Sequence, residues 1–128
     1  MSPVNTQHAR LLSFLIELFR AFVAEHDLGE VFNEPYQVRF PKLRRRRSPN
    51  ILFVSSARLG IITEQHVEGA PDLTVEIVSP QSQSRDRRDK YHDYQSAGVR
   101  EYWIIDPLCQ SVEAYALKRT KKYELIDE

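Results

Sequence analysis

The sequence predicts an α/β fold, a mixed β-sheet flanked by helices, and three patterns carry that expectation. A wide apolar stripe at helical spacing opens the chain, short apolar runs bounded by proline or glycine follow, and a polar helix-like segment separates two of those runs. A helix between two strands implies a parallel crossover, whereas the shorter links elsewhere suggest antiparallel neighbours. With 128 residues, 41% hydrophobic and 10% aromatic, the chain can fill one core, so a single domain over 1–128 is expected and wholesale disorder is excluded.

The elements follow in order. Leu11, Leu15, Leu18 and Phe22, beside Leu12, Ile16, Phe19 and Val23, predict a core-packed helix over 11–23 that ends near Gly29. Pro35 and Pro41 bracket YQVRF, where Tyr36, Val38 and Phe40 alternate with Gln37 and Arg39 as in a half-exposed strand. ILFVS (51–55) reads as a buried strand, and 56–70 as a connection with one helical turn. LTVEIVS (73–79) is a strand stopped by Pro80. Residues 82–97 form a solvent-facing helix with Tyr91 and Tyr94 as a thin apolar stripe and Gly98 at its end. EYWIID (101–106) is a strand closed by Pro107, and SVEAYAL (111–117) with KKYELID predicts a C-terminal β-hairpin.

Charge and cysteine content narrow the function classes. Eighteen Lys plus Arg cancel eighteen Asp plus Glu, but unevenly: residues 39–58 carry +7 and no acid, and 59–84 carry −4. The single cysteine, Cys109, excludes an internal disulfide and a cysteine-rich zinc site, and fits a reducing compartment. No apolar run approaches the roughly 20 residues that cross a bilayer, and the N-terminus has no apolar signal core. The expectation is a soluble, cytoplasmic protein. The four histidines lack close metal spacing, and no glycine-rich phosphate loop or Gly-x-Ser-x-Gly elbow is present.

The chemistry concentrates in PDLTVEIVSP (71–80). Strand alternation turns Asp72, Thr74 and Glu76 to one side. Two carboxylates at that spacing lie roughly 13 Å apart along an extended strand, so sharing one ion requires a bend after Pro71. Otherwise each works with a group from a neighbouring strand. Glu76 among Leu73, Val75, Ile77 and Val78 demands a partner, since an unpaired buried carboxylate is costly; a salt bridge to an arginine or a solvated face is the alternative. Lys90, on the next helix, can return over the strand end toward Glu76, or pair with Asp86 four residues before it.

PDLTVEIVSP followed by RDRRDKYHDYQSAGVREYWIIDP resembles the central signature of the Uma-two restriction-endonuclease family, within the PD-(D/E)XK nuclease superfamily. HARLLSFLIELFRAFVAEHDLGEVFNEPYQVRF is similar to that family's first helix and following strand, so the resemblance spans about residues 8–117. It implies a restriction-endonuclease-like core and a phosphodiesterase that uses magnesium or manganese to cut DNA. Glu76 then takes the acidic position of the (D/E)XK element, Val78 stands where its lysine would be, and Lys90 is the substitute. Asp72 matches the acid of the family's internal PDL element, and His8 a recurrent residue of the first helix. The expected metal ligands are Glu76, Asp72 and the residue at position 50.

Two departures bear on activity. The family's earlier Pro-Asp is Pro49-Asn50 here, which removes one negative charge from the metal site and lowers divalent affinity. Relative to the family the chain is also expected to be trimmed at both ends. The alternative to cleavage is a weakened or inactive nuclease fold that binds nucleic acid, and a third reading is an interaction module acting through the terminal hairpin. Arg44, Arg45, Arg46 and Arg47 directly precede position 50 and are candidates for neutralising DNA phosphates, against a solvated hairpin tip. The partners implied are DNA and, as an open alternative, a second copy of the chain; a membrane is not among them.

Overall fold

The structure, a computed structural model, describes residues 6–79 and 84–127. Helix α1 runs Thr6–His26, longer at both ends than its apolar stripe. It stops at Asp27, which turns left-handed with φ 52°. Gly29 is therefore no helix terminator but the first residue of β1 (Gly29–Asn33). A Cβ there would overlap the Val54 carbonyl oxygen, and φ is +149°, so glycine alone lets the two backbones approach this closely.

The remaining elements are β2 (Val38–Phe40), β3 (Arg45–Arg47), β4 (Ile51–Ser55), β5 (Val67–Glu68), β6 (Leu73–Ile77), α2 (Ser84–Ala97), β7 (Glu101–Asp106), β8 (Ser111–Leu117) and β9 (Tyr123–Asp127), with 3₁₀ turns at Pro41–Leu43 and Ser56–Ile61. Pro80 and the expected helix start at 82 lie outside the described residues. The main sheet has the order β1-β4-β6-β7-β8-β9. Only β6 and β7 are parallel in it, joined over α2 as the crossover argument requires.

Two more expectations change. Leu18 and Phe22, expected on the core-packed face of the helix, are 54% and 56% exposed, because the buried stripe of α1 runs through Ile16 and Val23. The strand at 36–40 shortens to β2 and joins a separate three-stranded sheet, β3-β2-β5, instead of lying beside β4. That place belongs to β1, whose five residues begin with glycine and carry no clear alternation.

Successive strand residues face opposite layers. Val31, Ile51, Val75, Ile77 and Ile105 face α1 and meet Ile16 and Val23. Leu52, Val54, Tyr102 and Ile104 face α2, where Tyr94, Val99 and the small sheet's Val38, Phe40 and Val67 complete a second core. Ile51, Leu52, Val54 and Val75 are fully buried; each such side chain contributes about 1.5–3 kcal/mol. All six tyrosines belong to the α2 layer, while Trp103 lies in the α1 layer, its ring 5.7 Å from Phe19. Among the described residues, no helix is long and apolar enough to cross a membrane.

Candidate active site

The site forms where β4 runs out before β6 does. Their pairing ends at Ile51 opposite Val75, so the Ile77 backbone faces a strand that has stopped. Its polar groups still need partners. The Asn50 side-chain oxygen accepts from the Ile77 N–H at 2.6 Å, and His8 Nε2 of α1 donates to the Ile77 carbonyl at 3.2 Å. His8 thus ties α1 to the end of β6, a role that its sequence position does not disclose. The Asn50 amide nitrogen donates to Glu34 Oε1 at 2.9 Å.

Glu76 points into the α2 layer and is only 5% exposed. Two residues one helical turn apart on α2 answer it. Lys90 Nζ lies 3.2 Å from Glu76 Oε1, and the Tyr94 hydroxyl donates to Oε2 at 2.7 Å. Lys90 Nζ is also 3.2 Å from Asp86 Oδ2. The lysine therefore makes both contacts that its spacing allowed, the reach to the strand and the helical ion pair.

Burial pushes the Glu76 carboxyl above its ordinary value, against the pull of the Lys90 charge and the Tyr94 hydroxyl. For Lys90, burial opposes the charge, but Glu76 and Asp86 outweigh it and hold the ammonium above the usual lysine range. Burial and then the Glu76 charge keep the Tyr94 hydroxyl protonated and donating.

Asp72 lies apart from this cluster. Its Oδ2 accepts from the Ser55 N–H at 2.6 Å and sits 3.3 Å from the Arg58 guanidinium. Ser55 ends β4 and Asn50 precedes it, so Asp72 braces the start of β6 while Asn50 bonds the Ile77 backbone at its finish. The chain bends at Asp72 and is extended from Leu73 to Ile77, and the Asp72 carboxylate is engaged by Ser55 and Arg58.

The four arginines divide. Arg47 is 2.7 Å from Asp93 and 3.9 Å from Asp86, and Arg45 is 3.5 Å from Asp93, so both tie the β2–β3 hairpin to α2. Arg44 and Arg46 are exposed, and Arg46 pairs across the hairpin with Arg39. Like charges facing each other are unfavourable, and on its other side Arg39 pairs across to Glu68 of β5.

Among the described residues, no group of three or more His, Cys, Asp or Glu lies together in a way that could hold a metal ion. Among the described residues, the oxygens near the end of β6 include the Glu76 carboxylate with the Tyr94 hydroxyl on it, the Asp86 carboxylate across Lys90, and the Asn50 amide oxygen with the Glu34 carboxylate bonded to that amide. The sequence marks Tyr94 as a packing residue that fixes the direction of Lys90, not as a partner of Glu76, and gives Glu34 no signal. Tyr94 sits four residues after Lys90, a spacing that puts both on one helix face, but Glu34 is brought here only by strand register.

A mixed sheet with one parallel pair crossed by α2, and helices on both faces, defines an α/β protein. The profile of the Uma2 family, described as "Putative restriction endonuclease", matches residues 1–127, and the chain belongs to that family. A solved structure of similar fold is that of a "putative nuclease belonging to DUF820" from Anabaena variabilis ATCC 29413. It aligns with a TM-score of 0.78 at 22% identity, covering 100% of this chain and 70% of that one. No curated protein matches the chain.

Proposed function

We propose that the chain is a divalent-metal-dependent endonuclease domain that hydrolyses DNA phosphodiester bonds, with Glu76 and Lys90 at its centre. The observation that carries this reading is the reach of Lys90 from α2 to Glu76, at 3.2 Å, in a member of a restriction-endonuclease family. The donor chemistry fits magnesium or manganese: the oxygens are hard, and magnesium commonly takes one or two carboxylates and completes its shell with water and substrate phosphate. Glu76 and the Asn50 oxygen would hold the ion, which supplies Lewis-acid polarisation of the phosphoryl group and an acidified water when bound.

The chain's own groups do the rest. Tyr94 fixes the Glu76 carboxylate by holding Oε2. Lys90 keeps its proton and places a compact positive charge beside the position where phosphate charge develops. Arg44 and Arg46, both exposed, offer contacts to the DNA phosphates, whereas Arg45 and Arg47 tie the hairpin to α2.

A second reading, binding without cutting, is favoured by one observation. Asn50 presents its N–H2 group to Glu34, where a carboxylate would bring a negative charge.

Nicking of supercoiled plasmid in magnesium or manganese tests the first reading. The expected result is metal-dependent nicking that stops with Glu76→Ala and in EDTA. Retention of DNA without nicking in either metal selects the second. Exchanging Arg44 and Arg46 for alanine should flatten the fall of log affinity with log salt, by about 0.9 for each duplex phosphate that is no longer neutralised. An unchanged slope would remove the hairpin from the DNA interface.

A further inference from the structure

The row of side chains that holds Glu76 continues across the sheet. Glu76 pairs with Ile104 and Ile104 with Glu113, so all three face the α2 layer. Adjacent strands are about 4.8 Å apart, which puts the Glu113 backbone roughly 10 Å from that of Glu76. Over Ile104 and Glu113 lies a cleft of about 490 Å³, between α2, which contributes Arg87, Arg88 and Tyr91, and β8, which contributes Tyr115. Small-ligand sites commonly measure about 300–1,000 Å³. The helix is fastened over the strands here, since the Gln95 side-chain oxygen accepts from the Tyr123 N–H of β9 at 2.7 Å.

Three kinds of group meet in this cleft. Tyr91 and Tyr115 are half-buried, with ring centroids 5.2 Å apart and planes at 90°, so they form an apolar corner that suits a flat ring. Arg87 and Arg88 make no ion pair among the described residues, which leaves two cations free for an anion. Glu113 is held in place by the Tyr115 hydroxyl, which donates to Oε2 at 2.7 Å, while Oε1 has no hydrogen bond among the described residues. We propose that the cleft binds one unpaired nucleotide of a DNA strand. The base packs on Tyr91 and Tyr115, its amino group donates to Glu113, and its phosphate lies against Arg87 and Arg88. A paired base cannot enter, because the duplex keeps its faces stacked. The proposal rests on the reading of the chain as a DNA-binding protein, but it needs neither metal nor cleavage. It carries a base preference. Cytosine presents an N4 amine where thymine presents a carbonyl oxygen, and a carboxylate accepts only from the amine.

The experiment titrates the full chain, in EDTA, into fluorescein-labelled oligodeoxycytidine and oligothymidine of equal length and follows anisotropy, with plasmid nicking in magnesium recorded alongside. The expected result is that oligodeoxycytidine binds at least about fivefold more tightly than oligothymidine. Glu113→Gln should bring the two within about twofold, because glutamine still accepts from Tyr115 but can also donate to thymine. Exchanging Arg87 and Arg88 for alanine should lower the salt slope by about 0.7 for each single-strand phosphate that is no longer neutralised. Equal affinity of the parent for both homopolymers, binding of neither, or a preference that survives Glu113→Gln overturns the proposal. Nicking by such a chain leaves the cleavage reading standing. A preference lost in Glu113→Gln, in a chain that does not nick, upholds the cleft while the cleavage reading fails. If circular dichroism shows Glu113→Gln to be less folded than the parent, the arginine exchange decides, and an unchanged salt slope overturns the proposal.

Discussion

Lys90→Ala should lower the proposed plasmid nicking by about 10²–10³-fold and leave DNA retention close to that of the parent chain. The loss follows from the contact geometry, since no other described cation lies within ion-pair distance of Glu76. Arginine is not expected to restore activity, because its planar fork cannot reproduce a point charge in that space. The same substitution has a pH signature. A carboxyl whose folded pKa lies above its unfolded value contributes stability that is complete below the ordinary glutamate range and is lost as pH rises through the folded value. Burial raises Glu76 in this way and Lys90 opposes the rise, so Lys90→Ala should cost more stability at pH 8 than at pH 4. Denaturant midpoints at the two pH values measure it. Equal losses at both would mean that Lys90 does not hold the Glu76 charge, and unchanged nicking would remove Lys90 from the site.

Tyr94→Ala costs about 3–5 kcal/mol, the largest loss of stability expected from one substitution on α2. Tyr94 is fully buried, and its ring lies 5.0 Å from Tyr102 and 6.1 Å from Phe40, joining α2 to the main sheet and to the small one. Removing it leaves a cavity at the junction of three elements and strips Glu76 of a hydrogen bond. Tyr94→Phe separates the two effects: it keeps the ring and should cost about 1.5–3 kcal/mol, the range for a hydrogen bond to a charged group. Urea titration of both variants is the measurement. A neutral Tyr94→Phe would show that the hydroxyl does not support an ionised Glu76.

Periodicity made much of this molecule legible. The runs 51–55, 101–106 and 111–117 became β4, β7 and β8 with their expected limits. Each carries four consecutive apolar residues, ILFV, YWII and AYAL, enough for burial to dominate local choice. The elements that escaped are β1, β3 and β5. A glycine-led pentapeptide, three arginines and a Val-Glu pair have no hydrophobic pattern of their own, and they are strands because tertiary neighbours supply the missing hydrogen bonds. The site divides in the same way. Glu76 stood out as an acid inside an apolar run, and Lys90 as a base one crossover later. The engagement of Asp72 with Ser55 and Arg58, the Arg47–Asp93 tie and the Glu34–Asn50 contact depend on which strand lies beside which, and no short window of sequence encodes that.

The partition of aromatic residues between the two layers gives the protein a pair of built-in optical labels. Trp103 is the sole tryptophan and sits under α1, while every tyrosine is packed in the layer under α2. Tryptophan emission, excited at the red edge where tyrosine does not absorb, reports the α1 side alone; near-ultraviolet circular dichroism in the tyrosine band reports the α2 side that carries Glu76 and Lys90. Coincident melting curves in the two signals would mark one cooperative unit. An earlier loss of the tyrosine signal would mean that the α2 layer opens while the layer behind the sheet stays folded.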